Sequence, residues 1–104
     1  MQVKYLDEAE LDLAYIDDYC IENFGLAVAN EVQEYILTTI DNLAIFPDIG
    51  IPINEPGLAE MGFCILILKK QVAIHKRVND VIFIYRILDI QRNYVEIFKQ
   101  YFLP

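Results

Sequence analysis

The chain has 104 residues, 56% of them apolar, and a formal net charge of −8. The length predicts a single domain, residues 1–104, and the apolar fraction exceeds what one small core can bury, which favours a protein partner. Two cysteines exclude a disulfide framework, and no signal peptide or apolar span of about 20 residues is present, so we expect a cytoplasmic protein outside any membrane.

The charge divides unevenly along the chain. Residues 1–61 carry thirteen Asp and Glu against the single Lys4, whereas residues 62–104 carry seven Lys and Arg against three acidic residues. The acidic half is a poor surface for non-specific nucleic-acid binding. The basic half can face a phosphate or an acidic partner.

The first half predicts a short strand and a helical hairpin. Residues 1–6 alternate as a strand, and Asp7-x-x-Glu10 has the spacing of a capping box at a helix start. Gly25 should end this first helix, and a second helix should run from residue 26 to 46, before Pro47. The predicted core stripes are Leu6, Ala9, Leu13, Ile16, Cys20 and Phe24 on the first helix, and Ala29, Val32, Ile36, Ile40 and Leu43 on the second.

The second half predicts a loop and a three-stranded meander. Residues 47–60 hold three of the four prolines and should be irregular; strands follow at 61–68, 72–78 and 81–88, with Asn79-Asp80 as a two-residue turn. Residues 93–104 form either a short helix or an arm. The order β-α-α-β-β-β predicts an α+β fold in which the antiparallel helical hairpin packs on one face of an antiparallel sheet.

Pairing across the predicted turn assigns strand residues to two faces. The face expected beneath the helices holds Val72, Ile74, Val78, Val81, Phe83, Tyr85 and Ile87, with Lys76 at its margin. The face expected to stay open holds Gln71, Ala73, His75, Arg77, Ile82, Ile84, Arg86 and Leu88. Ala73 should lie opposite Arg86, and a two-residue turn at Lys69-Lys70 would place Cys64 opposite His75.

Two exposed features invite a functional interpretation, with an ordinary solvated surface as the alternative for each. One is the basic cluster on the predicted open sheet face. The other is formed by Leu11, Tyr15 and Tyr19, which recur every four residues opposite the core stripe of the first helix and suit a protein interface. For Cys64 and His75, packing is favoured over a thiolate nucleophile. The spacing of one histidine and two cysteines predicts no metal site, and no cofactor motif is present.

Four segments carry a resemblance to a known family. They are AELDLAYIDDYCIENFG, with the pattern A-x-x-D-L-x-x-I-x-x-Y, then IDNLAIFPDIG, GFCILIL and DVIFIYRILDIQRNY. In this order they resemble the RelE/ParE superfamily of bacterial type II toxin–antitoxin toxins, which serve in plasmid stabilisation and growth inhibition. The resemblance implies a cognate antitoxin that binds the toxin. It also implies one of two activities: metal-free cleavage of mRNA on the ribosome (RelE-like) or poisoning of DNA gyrase (ParE-like).

The resemblance also implies where function should lie. We expect a functional surface, catalytic in a ribonuclease, at Arg86, Arg92, Tyr94 and His75, with target contacts at Lys76 and Arg77. Leu11, Tyr15 and Tyr19 are expected to bind the partner.

Three positions depart from the family pattern: Cys64, Ala73 and Asp89 stand where the family usually has arginine or histidine. Losing a charge-stabilising group can cost about 10²-fold in rate. A ParE-like or otherwise non-nucleolytic toxin is therefore favoured. The alternatives are a ribosome-dependent endoribonuclease and an inactive toxin-fold binding protein, and either a homodimer or a toxin–antitoxin hetero-oligomer is compatible with the sequence.

Overall fold

The computed structural model describes residues 1–102 as a five-stranded sheet with four helices. The elements are β1 (Gln2–Tyr5), α1 (Asp7–Phe24), α2 (Leu26–Ile45), β2 (Ile51–Pro52), α3 (Pro56–Glu60), β3 (Phe63–Ile67), β4 (Gln71–Val78), β5 (Val81–Asp89) and α4 (Tyr94–Phe102). The predicted α+β class and element order are confirmed. The C-terminal segment is a helix, and the last two residues, 103 and 104, lie outside the described part of the chain. None of the helices within residues 1–102 has the length and apolar character needed to cross a membrane.

The helical hairpin turns at Gly25. This residue has a φ of +90°, a conformation that residues with a side chain rarely adopt. Its N–H donates to the carbonyl of Ile21 at 3.1 Å, so Gly25 ends α1 and α2 begins at the next residue. The predicted stripe of α2 is confirmed, since Ala29, Ile36, Ile40 and Leu43 are buried and Val32 packs against them. On α1 the prediction is wrong for Phe24, which is 55% exposed because the helix ends there and its ring packs edge-on against Tyr19.

The sheet has the strand order β1-β5-β4-β3-β2. Its neighbours pair antiparallel except at one edge, where β1 runs parallel to β5 from Gln2 opposite Val81 to Tyr5 opposite Ile84. The turn at Asn79-Asp80 is confirmed, and Asn79 adopts a φ of +56° there. The predicted pairing of Cys64 with His75 is also confirmed.

The predicted assignment of the two sheet faces is wrong. The core beneath the helical hairpin contains Ala73, Ile82 and Ile84, three residues that we expected on an open face. The reason is that β4 is buried on both sides, from Val72 through His75, so the polar residues that guided the prediction do not mark a solvent face.

A β-bulge in β5 also changes the register. His75 lies opposite Ile84, but the preceding residue, Ile74, lies opposite Arg86, so Tyr85 is the extra residue. Ala73 therefore pairs with Ile87, and the prediction that it faces Arg86 is wrong. The bulge moves Arg86 away from the face that holds His75.

The second face of the sheet is covered rather than open. A second core joins strands β3, β4 and β5 to α3 and α4: Ile53, Leu58, Phe63, Ile65, Val72, Ile74, Leu88 and Phe98. The segment 47–60, predicted to be irregular, supplies β2 and α3. Glu55 caps α3, accepting hydrogen bonds from the N–H groups of Gly57 and Leu58, and Pro56 occupies the first helical turn. The other carboxylate oxygen of Glu55 lies 3.5 Å from Lys99 Nζ, and this ion pair joins α3 to α4.

Candidate functional site

Arg86, the central residue of the predicted functional surface, is held by Asp12 of α1. Its Nε and Nη2 donate to the two carboxylate oxygens of Asp12 at 2.8 and 3.0 Å, and the N–H of Ile87 donates to the same carboxylate at 2.9 Å. The side chains are only 15% and 14% exposed. These hydrogen bonds to the Asp12 carboxylate raise the pKa of Arg86 above its ordinary value, so the guanidinium is charged but already paired.

Tyr101 of α4 lies on the other side of Arg86. Arg86 Nη1 is 3.4 Å from the Tyr101 hydroxyl, and the guanidinium carbon lies 5.6 Å from the ring centroid. Together with Leu6, Glu8, Tyr85 and Phe98, these two residues line a surface pocket. Arg86 therefore joins three elements, α1, β5 and α4, at one place.

His75 is removed from solvent. It is 4% exposed, and its Nε2 has no hydrogen-bond partner among the described residues. The imidazole fits closely against Gly50, where an added Cβ would lie 2.7 Å from His75 Cε1. Burial lowers the pKa of His75 to about 4, so the ring is neutral at pH 7. In this conformation His75 cannot reach a substrate.

Cys64, opposite His75, is not activated as a nucleophile. Burial raises the pKa of its thiol, and the carboxylate of Asp48 raises it further, so the thiolate is disfavoured at neutral pH. The thiol instead lies 3.8 Å from the carbonyl oxygen of Gly62. Among residues 1–102, no three His, Cys, Asp or Glu side chains are grouped so as to hold a metal ion.

The remaining predicted site residues lie at opposite ends of the sheet. Lys76 and Arg77 are near the Asn79-Asp80 turn, where Arg77 Nε donates to the Asn79 carbonyl at 3.1 Å and Lys76 Nζ lies 5.2 Å from the centroid of the Phe63 ring. Arg92 is exposed and follows β5 at the other end. The residues proposed from sequence therefore do not converge on one point.

Arg92 has basic neighbours that sequence reasoning did not include. The backbone N–H of Ile90 donates to the carbonyl of Lys70 at 2.9 Å, and the N–H of Arg92 donates to Asp89, which brings this segment beside the exposed Lys69-Lys70 turn. Tyr94, at the start of α4, is half-buried against the second core. Lys70 and Arg92 lie far apart in the sequence, and they become neighbours because β5 returns antiparallel to β4, with Asp89 opposite Gln71.

Asp12 is the other residue whose importance was missed. The site residues predicted from the sequence did not include it, yet it is the carboxylate that binds Arg86. A signal was present, because Asp12 is the aspartate of the A-x-x-D-L-x-x-I-x-x-Y pattern. A carboxylate beside the core stripe of a helix can reach a cation on the neighbouring sheet.

Leu11, Tyr15 and Tyr19 form an exposed row on the outer side of α1. They are 63%, 72% and 52% exposed, respectively. We call these three residues the outer stripe. In the described chain they pack neither into the hairpin core nor into the second core.

Comparisons with known proteins give consistent results. Residues 3–95 match the family model of the ParE toxin of type II toxin–antitoxin system, parDE. A solved structure from the chromosomal ParDE toxin–antitoxin system of P. aeruginosa has the same fold, with a TM-score of 0.75 and 23% identity over 88% of this chain and 97% of that one. Curated protein sequences gave no significant match. Since the family model spans most of its length, the chain belongs to the ParE toxin family of type II toxin–antitoxin systems.

Proposed function

We propose that the protein is a growth-inhibiting toxin that acts without cleaving RNA, that its target is DNA gyrase, and that a cognate antitoxin silences it. Membership of the ParE toxin family supports the toxin role. The proposal that the toxin does not cleave RNA rests on the burial and pairing of the two residues best suited to phosphodiester chemistry. His75 is buried and neutral, and Arg86 is bound by Asp12.

The chemical reason is the demand of metal-free RNA cleavage. A metal-free ribonuclease needs a general base or acid within reach of the ribose and several cations around the phosphate. His75 and Arg86 are separated by the bulge in β5 and lie on different faces. The cations at Arg77 and Arg92 lie at opposite ends of the sheet, so they cannot stabilise one phosphate together.

Ala73 supports the same proposal. It occupies a position where many members of the family have arginine, but here it is 0% exposed in the core beneath the hairpin. A guanidinium at this place would be buried without a partner, which costs several kcal/mol, by the order of magnitude usual for buried ions. The sequence has thus adapted this position to packing.

The proposed antitoxin contact is the outer stripe. Leu11, Tyr15 and Tyr19 give an apolar row with two aromatic residues, a composition that is enriched in protein interfaces. The similar structure comes from a ParDE toxin–antitoxin system, which also supports an antitoxin as the partner. We further propose Arg77 and Arg92, with Lys76 and Tyr94, as target contacts.

Induction in a bacterium, with and without the product of the neighbouring gene, tests this function. We expect growth arrest that the neighbour relieves, inhibition of DNA supercoiling by purified gyrase, and no codon-positioned cuts in primer extension. The variants Arg77→Ala and Arg92→Ala should relieve growth arrest more than the exposed control Gln91→Ala. Codon-positioned cuts would instead establish the ribonuclease alternative, and a folded chain with no effect on growth or gyrase would establish the inactive binding protein.

A further inference from the structure

The charge around the outer stripe is strongly one-sided. Helices α1 and α2 together contain ten Asp and Glu and not one Lys or Arg. Asp18 and Glu22 are exposed, and each follows a tyrosine of the stripe by three residues, which places both carboxylates on the same side of α1 as Tyr15 and Tyr19.

Little in the described part of the chain neutralises this surface. The ion pair that reaches the hairpin joins Arg86 to Asp12, and the other two ion pairs involve Lys99 with Glu55 and Glu96, outside the hairpin. Asp18 and Glu22 take part in none of these pairs. Any protein segment that covers the outer stripe must therefore approach a row of uncompensated carboxylates.

We propose that the outer stripe binds a cationic amphipathic helix of the antitoxin. The identity of this partner rests on the proposed function; its chemistry rests on the hairpin. The three stripe residues span about 12 Å, or two helical turns, which matches the apolar face of a short helix. Lys or Arg beside that face would pair with Asp18 and Glu22 and lie over the rings of Tyr15 and Tyr19.

Charge also decides between this occupant and the obvious competitors. A second copy of the chain would bring an equally acidic hairpin to the same place, and an acidic peptide would add further negative charge. Like charges juxtaposed in an interface cost several kcal/mol by the usual order of magnitude. A cationic helix gains from the same field, with an association rate that falls as salt rises.

Matched charge reversals provide the test. The double variant Asp18→Lys/Glu22→Lys reverses the charge beside the stripe. The double variant Glu31→Lys/Glu34→Lys makes the same change in charge on exposed positions of α2. Both are measured against the purified antitoxin and against two designed helical peptides with the same leucine stripe, one with lysine and one with glutamate at the remaining positions.

We expect the leucine–lysine peptide and the antitoxin to bind wild type, and the leucine–glutamate peptide not to bind. The Asp18→Lys/Glu22→Lys variant should weaken both complexes at least about tenfold at low salt, whereas the α2 control should change them by less than about threefold. The neutral variant Tyr15→Ser/Tyr19→Ser should also weaken them about tenfold. Circular dichroism of each variant shows that it is folded.

The outcomes separate the two proposals. If the antitoxin binds wild type and both charge-reversed variants equally, or if the two peptides bind alike, the cationic helix is ruled out and the proposed function stands. If the neighbouring protein neither binds nor relieves growth arrest, the proposed antitoxin is wrong. In that case the peptide comparison and its salt dependence still decide the chemistry of the stripe.

Discussion

Breaking the ion pair between Asp12 and Arg86 by removing one partner should destabilise the fold strongly, and this change is the sharpest test of what Arg86 does. In Asp12→Ala the guanidinium and the N–H of Ile87 both lose their acceptor. Removing one partner of a fully buried pair costs about 3–5 kcal/mol. Because the Arg86 and Asp12 side chains are 15% and 14% exposed, we expect Asp12→Ala to lower the free energy of unfolding by about 2–3 kcal/mol. This is a large fraction of the stability of about 5–15 kcal/mol that is usual for a domain.

Urea unfolding followed by circular dichroism at pH 7 measures this cost. Asp18→Ala, an exposed aspartate of the same helix, is the control and should change the free energy of unfolding by less than about 0.5 kcal/mol. In a double-mutant cycle with Arg86→Met, we expect a coupling energy of about 1–2 kcal/mol. Equal effects of Asp12→Ala and Asp18→Ala, or additive single effects in the cycle, would refute the structural role.

The same variants also show whether Arg86 substitutions reduce toxicity through the fold or through lost contact with the target. If Arg86 acts through the fold, growth inhibition should fall in parallel with stability in Asp12→Ala and Arg86→Met. A direct role in target binding would instead make Arg86→Met far less toxic than an Asp12 variant of equal stability. The comparison therefore separates a positioning residue from one that contacts the target.

Two further predictions concern buried residues. The pKa of His75 is about 4 in the folded state and about 6.5 in the unfolded state, so the unfolded chain binds more protons between these two pH values. The free energy of unfolding therefore has its full value above pH 6.5 and decreases as the pH falls towards 4. We expect urea unfolding to show a loss of about 2 kcal/mol at pH 5 that is missing in His75→Val, and equal pH profiles would contradict this. Phe98 is buried, and its ring centroid lies 4.9 Å from that of Phe63. Phe98→Ala should therefore lower the free energy of unfolding by about 3–4 kcal/mol, and Phe98→Leu should lower it by about 1 kcal/mol. Similar unfolding midpoints for wild type and both variants would show that α4 contributes little to stability.

Periodicity and turn chemistry were sufficient for the order of β1, α1, α2, β3, β4 and β5, but not for β2 and α3 within the segment 47–60. The helical stripe of α2, the end of α1 at Gly25 and the turn at Asn79 each depend on local residue preferences, which are legible in a single sequence. The pairing of Cys64 with His75 followed from turn length alone. These features do not require knowledge of what packs above or below the sheet.

The sheet faces could not be predicted because they depend on what packs on each side of the sheet. Four consecutive residues of β4, from Val72 to His75, are buried, so alternation of apolar and polar residues gives no preferred side. Polarity then favoured an exposed His75, whereas tertiary packing buries it against Gly50. The extra residue at Tyr85 has no local signature, yet it determines which face Arg86 belongs to and so which site can be assembled.

The position of β1 has a consequence for how the protein folds during synthesis. Because Gln2 pairs with Val81, β1 is synthesised well before β5 and cannot complete its backbone hydrogen bonds until β5 has emerged. Helices α1 and α2 are made long before the strands that bury Ile36, Ile40 and Leu43. We expect closure of this long loop to slow folding, because its entropic cost must be met before the distant contacts form. The nascent hairpin consequently exposes an apolar face until β5 has emerged and β1 can dock beside it.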